Sequence, residues 1–146
     1  MNPALFSFLT AVRFHQADPA GILFFGHVGA LAHDAYEAFV EHLGFSWREW
    51  FENPEWAVPI RKTSCEYLKP MRAGEELTIV VGIEKIGESS ITLNYDFRCK
   101  GETHAEMQIV HVFLDKKARA KMPIPSVVRR KLEAYQSQGL GQHQLT

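Results

Sequence analysis

The feature that most constrains the fold is an alternation of hydrophobic and polar residues that continues, with short interruptions, from Val58 to Leu114. In its clearest part, from Ile91 to Lys100, every second side chain is hydrophobic and those between are polar. This period predicts strands with one packed face and one solvated face. The interruptions at Gly87-Glu88 and Gly101-Glu102 are short, so we expect antiparallel neighbours in a four-stranded meander. The last strand, Ala105 to Leu114, becomes apolar on both faces after Gln108, which indicates a central strand or a subunit contact.

One strand and two helices are predicted before this β region. Residues 5–14 alternate and predict a first strand, and His27 to Gly44 has helical spacing that ends at a glycine. A short helix is predicted to begin at Ser46, with Glu49 completing a capping box. One long helix against an antiparallel sheet is an α+β layout. Because one helix leaves much of the sheet uncovered, we expect a homodimer or homotetramer.

The end of the chain is predicted to carry one more helix. Pro125-Ser126 begins it, and its apolar spacing continues from Val127 to Tyr135. We therefore assign residues 1–136 to a single domain and residues 137–146 to a disordered tail.

Charge and cysteine content exclude several functional classes. The chain has 16 Lys and Arg against 17 Asp and Glu, so no basic excess is available to neutralise nucleic-acid phosphates. Cys65 and Cys99 are far apart and form no CxxC motif, which favours free thiols in a reducing compartment. No apolar run is long enough to span a membrane, and the start of the chain does not have the pattern of a signal peptide. We expect a cytoplasmic protein without nucleic-acid or membrane partners.

Asp18 is the first candidate for chemistry. It precedes Pro19-Ala20-Gly21 in a loop that leads into the long helix. A carboxylate there could face a reacting carbonyl, while amides at the helix start stabilise a developing oxyanion. The alternative is a turn residue whose side chain binds nearby backbone N–H groups.

His33 and Glu37 form an i,i+4 pair on the long helix, and they are candidates for acid/base support. An ordinary helical ion pair or hydrogen bond is the alternative. The pair has no third ligand and no HExxH motif, so we expect no metal site. His111, within an apolar strand, is interpreted as a hydrogen-bonded core or interface histidine. The absence of GxSxG, GxGxxG and P-loop motifs disfavours serine hydrolases, dinucleotide redox enzymes and nucleotide hydrolases, and we expect no cofactor.

Basic residues cluster after the last strand of the β region. This group could hold the phosphates of a nucleotide-bearing substrate at a pocket mouth, or it could be an ordinary solvated strand end. Its members are Lys116, Lys117, Arg119 and Lys121.

The loop and the helix after it resemble the hot-dog-fold thioesterases of the 4-hydroxybenzoyl-CoA thioesterase type. The D-x-x-G mark of that family appears here as Asp18 to Gly21, followed by Ile22 to Phe25. The resemblance extends over roughly residues 8 to 125 and includes EYLKPMRAGEELTI. It implies a five-stranded antiparallel sheet wrapped around one long central helix, with dimers that pair their sheets.

The resemblance also implies hydrolysis of an acyl-CoA thioester without a metal or cofactor. Asp18 matches the catalytic aspartate, as nucleophile or general base, and Phe25 matches the position whose backbone N–H polarises the carbonyl. Gly21 would allow a close approach of backbone to substrate. Candidate substrate-binding residues are Phe24, Trp56, Ser90 and the basic cluster.

Two departures from the family pattern bear on the substrate. Many bacterial relatives that act on short or fatty acyl-CoA carry Tyr where this chain has Phe14 and His where it has Phe25. The helix segment HDAYE is similar to that of the 1,4-dihydroxy-2-naphthoyl-CoA hydrolases. We therefore expect an aromatic acyl group. The alternatives are a thioesterase for short- or medium-chain fatty acyl-CoA, a hydratase or dehydratase that leaves the thioester intact, and a non-catalytic acyl-binding protein.

Overall fold

The alternating residues form a five-stranded antiparallel sheet that packs on one long helix, as the fold class predicted. The structure is a computed structural model; it describes the backbone of residues 5–145 and the side chains of residues 5–137. The elements in chain order are β1 (Phe6–Ala11), α1 (Val28–His42), α2 (Trp47–Phe51), β2 (Trp56–Ala57), β3 (Ile60–Tyr67), β4 (Glu76–Ile86), β5 (Ser90–Cys99), β6 (Glu102–Val112), β7 (Leu114–Asp115), β8 (Ala120–Lys121) and α3 (Ser126–Leu145).

The strand order differs from a simple meander. The sheet runs β1-β4-β5-β6-β3, so β6 is an interior strand and β3 lies at the edge beside β6. The expected meander holds for β4, β5 and β6 but is wrong for β3, which pairs with β6 from Ile60↔His111 to Tyr67↔Ala105. The physical reason is the connection after β3, which contains Pro70 and Gly74 and forms no tight hairpin.

The helix α1 lies across one face of the sheet and supplies much of the core. Leu31, Ala32, Ala35 and Phe39 are at most 2% exposed. The two alanines let the helix axis approach the sheet closely, while full burial of a side chain such as Phe39 contributes about 1.5–3 kcal/mol. Burial along β5 alternates strictly, with the apolar side chains beneath α1 and the polar ones on the other face.

The first strand is shorter than predicted. It ends at Ala11, and Phe14 begins a 3₁₀ turn in which its ring is 92% exposed. Parity placed Phe14 on the apolar face, but the backbone leaves the strand before reaching it. Val12, one residue after the strand, is the buried end of this face.

A small second sheet lies where β3 begins and β6 ends. Its order is β2-β7-β8, and Trp56 packs there against Trp50 and Phe113. The turn between β7 and β8 carries the basic cluster, and its backbone is held by Asp115, whose carboxylate accepts from the amides of Lys117 and Ala118. The cluster is thus solvent-exposed at a strand end.

Helix α3 contacts both β1 and β4 through one side chain, that of Tyr135. The Phe6 amide donates to the Tyr135 hydroxyl at 2.6 Å, and this hydroxyl donates to the Val81 carbonyl at 2.5 Å. Phe6 and Val81 are partners in the β1–β4 ladder, so the phenol bridges their backbone groups. The helix extends to Leu145. The domain boundary at residue 136 and the disordered tail after it stay predictions.

Other sequence-based expectations have clear outcomes. Ser46 and Glu49 form the predicted capping box at the start of α2. Both cysteines are free; Cys99 is buried, whereas Cys65 is only partly buried. Within the described part of the chain, no helix has the length and apolar character needed to cross a membrane.

Candidate active site

Asp18 is held in a compact turn that its own side chain stabilises. Its Oδ1 accepts hydrogen bonds from the amides of Ala20 at 2.9 Å and Ile22 at 3.1 Å. Its backbone amide donates to the Ile22 carbonyl, and Gly21, with φ of +79°, donates to the Asp18 carbonyl. Among the described residues no hydrogen bond involves Oδ2. The turn role and the catalytic role are therefore compatible, because Oδ1 orients the carboxylate while Oδ2 is not used by the turn.

Among the described residues, the backbone amides of Phe25 and Gly26, just beyond the loop, donate to no backbone carbonyl. Phe25 begins a 3₁₀ turn, Phe25–His27, that leads directly into α1. The first amides of a helical segment have no internal partner and carry the positive end of its dipole. A Cβ at Gly26 would lie 2.6 Å from the Phe24 ring, so any larger residue there would displace this half-exposed ring. Sequence reasoning did not single out Gly26.

Asp18 and the Phe25 turn line one cavity of about 470 Å³. The end of β3 and the chain after it supply its other wall, which sequence reasoning did not assign to the site. The additional lining residues are Tyr67, Leu68, Lys69, Pro70 and Met71. The segment EYLKPM is part of the family resemblance, so the sequence did contain a signal that this wall belongs to the site.

The polar groups in that wall are partly engaged. Lys69 forms an ion pair with Glu102 that lowers the pKa of the Glu102 carboxyl. Tyr67 is half-exposed, and its pKa is raised by burial and by the neighbouring Cys65 thiol. At neutral pH the Tyr67 phenol is therefore protonated and able to donate a hydrogen bond.

The remaining predicted substrate-binding residues lie at the opposite end of the sheet. Trp56 is in the small sheet, and Ser90 begins β5, where it pairs with Val112. The turn before Ser90 lies beside the start of β7, because the Phe113 amide donates to the Ser89 carbonyl, and β7 leads directly into the basic cluster. Thus Phe24, Phe25, Gly21 and Asp18 occupy one end, and the other candidates share the far end. Seven steps along β3 separate the two ends, which corresponds to about 23 Å.

His33 and Glu37 do not pair with each other. The Glu37 carboxylate instead accepts from the Trp47 indole at 2.7 Å, while the His33 ring packs near Tyr36 and Phe51. Neither side chain lines the cavity that contains Asp18. Their role in acid/base support stays a prediction.

His111 is buried, as predicted, but it lacks the hydrogen bonds that its sequence context led us to expect. It is 1% exposed and stacks on Tyr36 with ring centroids 4.3 Å apart. Within the described residues neither ring nitrogen has a partner, and the Tyr95 hydroxyl also has none. Burial, with a smaller contribution from His33, lowers the pKa of His111 to about 3.

Metal-binding groups are not assembled in the described part of the chain. No set of three or more His, Cys, Asp or Glu there has an arrangement suited to a metal ion. A groove of about 570 Å³ on the polar face of the sheet contains acidic side chains, but it shares no residue with the D-x-x-G loop.

Known proteins are similar to this chain in sequence. The family model described as "Thioesterase-like superfamily" matches residues 12–132. A 1,4-dihydroxy-2-naphthoyl-CoA hydrolase of Nostoc punctiforme is 31% identical over 88% of this chain and 86% of its own length. The enzyme of the same name from Thermosynechococcus vestitus is also 31% identical, over 86% and 87% of the two chains.

Solved structures share the fold. A 1,4-dihydroxy-2-naphthoyl-CoA thioesterase from Synechocystis superposes with a TM-score of 0.80 at 21% identity, over 88% of this chain and 95% of that one. A gentisyl-coenzyme A thioesterase superposes with a TM-score of 0.78 at 25% identity, over 88% and 99%. The hot-dog fold expected from the loop motif is confirmed.

Proposed function

The chain belongs to the thioesterase-like superfamily and is a thioester hydrolase, and we propose that it hydrolyses an aromatic acyl-CoA of the dihydroxynaphthoyl or hydroxybenzoyl type to the free acid and CoA. One observation carries the proposal at the level of the site. The oriented Asp18 carboxylate and the amide-rich start of the Phe25 turn line the same cavity.

The reaction needs one group to activate or act as the nucleophile and one to stabilise the oxyanion. With Asp18 as general base, its carboxylate takes a proton from water as the water oxygen forms a bond to the thioester carbonyl carbon. The carbonyl oxygen becomes negative and is stabilised by the Phe25 amide. When the tetrahedral intermediate collapses, the C–S bond breaks and the CoA thiolate leaves and acquires the proton.

Direct attack by Asp18 is the second route to the same products. The carboxylate oxygen would form a mixed anhydride with the acyl group and release CoA before water hydrolyses the anhydride. A single turnover in heavy-oxygen water tests for the anhydride. Heavy oxygen in the Asp18 carboxyl establishes an anhydride that water opens at the aspartyl carbon, whereas label only in the product acid is the result of general-base hydrolysis and also of an anhydride that water opens at the acyl carbon.

The lining of the cavity favours a flat apolar acyl group. Phe24, Phe25, Leu68 and Met71 contribute apolar surface, and the Tyr67 phenol adds a neutral polar group that could bond a ring hydroxyl. The relatives named as dihydroxynaphthoyl-CoA hydrolases support the same choice. A fatty acyl-CoA thioesterase is the second candidate, because the wall is equally apolar toward an alkyl chain.

The test measures release of free thiol from a panel of aryl- and fatty-acyl-CoA esters. We expect the aryl esters to give the higher kcat/KM, and Asp18→Asn to lower it by several orders of magnitude while the protein stays folded. Asp34→Asn is the matched control, since Asp34 is exposed on α1 and should retain full activity. Thiol release from no ester would refute the proposal, and binding without turnover would favour an acyl-binding protein.

We further propose that the active unit is a dimer paired through β3. Among the described residues no strand pairs with the outer edge of β3, and three exposed apolar side chains lie along or just beyond it: Ile60, Tyr67 and Leu68. Antiparallel pairing of two copies brings the start of one β3 beside the end of the other. The partner's small sheet and basic cluster would then lie near Asp18, which joins the two groups of predicted substrate-binding residues into one site.

Complementation tests this arrangement. One variant carries Asp18→Asn, and the other carries alanine at Lys116, Lys117, Arg119 and Lys121. If each site takes its halves from different chains, co-refolded 1:1 mixtures contain heterodimers with one intact site and recover about a quarter of wild-type kcat/KM. If the halves come from one chain, or if the protein is a monomer, mixing recovers nothing.

A further inference from the structure

The loop that carries Asp18 rests on a second segment, residues 71–74, through backbone hydrogen bonds. The Leu23 amide donates to the Met71 carbonyl at 2.6 Å, and the Ala73 amide donates to the Gly21 carbonyl at 2.9 Å. Between these bonds Ile22 and Arg72 form an antiparallel bridge. The Ile22 amide also donates to Asp18 Oδ1. Arg72 is therefore linked to the Asp18 carboxylate through a single residue, Ile22.

This supporting segment is in turn fixed by one side chain. The Glu75 carboxylate accepts from the Arg72 amide through Oε1 at 2.8 Å and from the Cys99 thiol through Oε2 at 3.4 Å. Its backbone closes the turn, because the Glu75 amide donates to the Arg72 carbonyl and the Val12 amide donates to the Glu75 carbonyl. The hydrogen bond from the Arg72 amide to the Glu75 side chain, and to a smaller extent the one from the Cys99 thiol, lower the pKa of the Glu75 carboxyl and keep it charged at neutral pH.

We propose that Glu75 is a positioning residue for Asp18. Its carboxylate fixes Arg72, Arg72 fixes Ile22, and the Ile22 amide holds the carboxylate of Asp18 toward the cavity. The side chain of Glu75 does not line that cavity, so its effect is on orientation and not on contact with substrate. Displacement of a reacting group by about 1 Å can lower a rate about a hundredfold. The inference rests on the proposed hydrolytic role of Asp18.

The test compares three variants with the wild type. Glu75→Ala removes both acceptors, whereas Glu75→Gln keeps a carbonyl oxygen that can accept from the Arg72 amide. Glu76→Ala is the matched control, because Glu76 is the next residue, is exposed and makes no side-chain hydrogen bond within the described residues. We expect Glu75→Ala to lower kcat about tenfold to a hundredfold with KM within twofold, Glu75→Gln to recover most of the loss, and Glu76→Ala to match the wild type.

Amide hydrogen exchange provides a readout that does not depend on turnover. In Glu75→Ala the amides of Ala20 and Ile22 should exchange faster, while that of Leu93 in the core strand β5 is unchanged. Unchanged exchange at Ile22, an unchanged kcat, or a Glu75→Gln variant as impaired as Glu75→Ala would each overturn the positioning role. If the wild type hydrolyses no thioester, the proposed function fails, and faster exchange at Ile22 still establishes that Glu75 orders the loop.

Discussion

Acid should destabilise this protein through one buried imidazole. In the folded chain the pKa of His111 is about 3, against an ordinary value of 6.5, because burial opposes its charged form. Below pH 6.5 the unfolded chain binds a proton at this position that the folded chain does not. The stability that neutral His111 contributes is therefore fully present above pH 6.5 and is lost as the pH falls toward 3.

The size of this effect follows from the pKa difference. A difference of about 3.5 pKa units corresponds to roughly 5 kcal/mol once the pH is below 3, and to about 2.7 kcal/mol at pH 4.5. Such a loss is a large fraction of the stability of a typical domain. The flat ring of Phe can keep the stack on Tyr36 without titrating, so His111→Phe should abolish this part of the acid sensitivity.

Urea unfolding followed by tryptophan fluorescence at pH 7 and pH 4.5 measures the effect, with protein concentration held constant because association contributes to stability. His15→Gln is the control, since it removes a solvent-exposed imidazole. We expect the wild type and His15→Gln to lose about 2–3 kcal/mol more than His111→Phe between the two pH values. Equal losses in all three proteins would show that His111 binds a proton in the folded state as readily as in the unfolded state.

Three further predictions concern the backbone. Tyr135→Phe removes the hydroxyl that bridges Phe6 and Val81 and should lower the free energy of unfolding by about 1–3 kcal/mol in urea titrations, whereas Tyr67→Phe should change it little. Gly21→Ala places a Cβ at φ of +79° and should cost about 1–2 kcal/mol, with a fall in kcat, and wild-type kinetics would argue against the strained turn. Ser46→Ala removes the cap of α2 and should cost about 1 kcal/mol while kcat/KM is retained, and an unchanged melting temperature would contradict this.

Local patterns predicted the elements of the fold better than their order. The alternation in β5 and the capping box at Ser46 depend on neighbouring residues only, and both appear as predicted. The place of β3 depends on the chain beyond Tyr67, which turns to support the Asp18 loop and does not form a hairpin. A period of two residues contains no information about which strand lies beside which.

The candidate site divides in the same way. Asp18, Gly21 and Phe25 are close in sequence; one loop places Asp18 and Phe25 on the same cavity, and Gly21 closes the turn by a hydrogen bond to the Asp18 carbonyl. The wall from Tyr67 to Met71 and the support from Glu75 come from a distant segment, so no local spacing could identify them. The sequence also could not predict that the ring nitrogens of His111 have no hydrogen-bond partner within the described residues, because this depends on how α1 packs against β6.

The bridge made by Tyr135 has a consequence for biosynthesis. It joins residues separated by 129 positions, and β1 itself pairs with β4 from far along the chain. During synthesis β1 therefore waits for β4 and then for α3 before its partners exist, and contacts of this range slow folding because a long loop must close first. Until then β1 is an unpaired, phenylalanine-containing edge that favours aggregation in a nascent chain. The yield of folded protein should accordingly respond more to translation speed and chaperone supply than the stability of the finished sheet suggests.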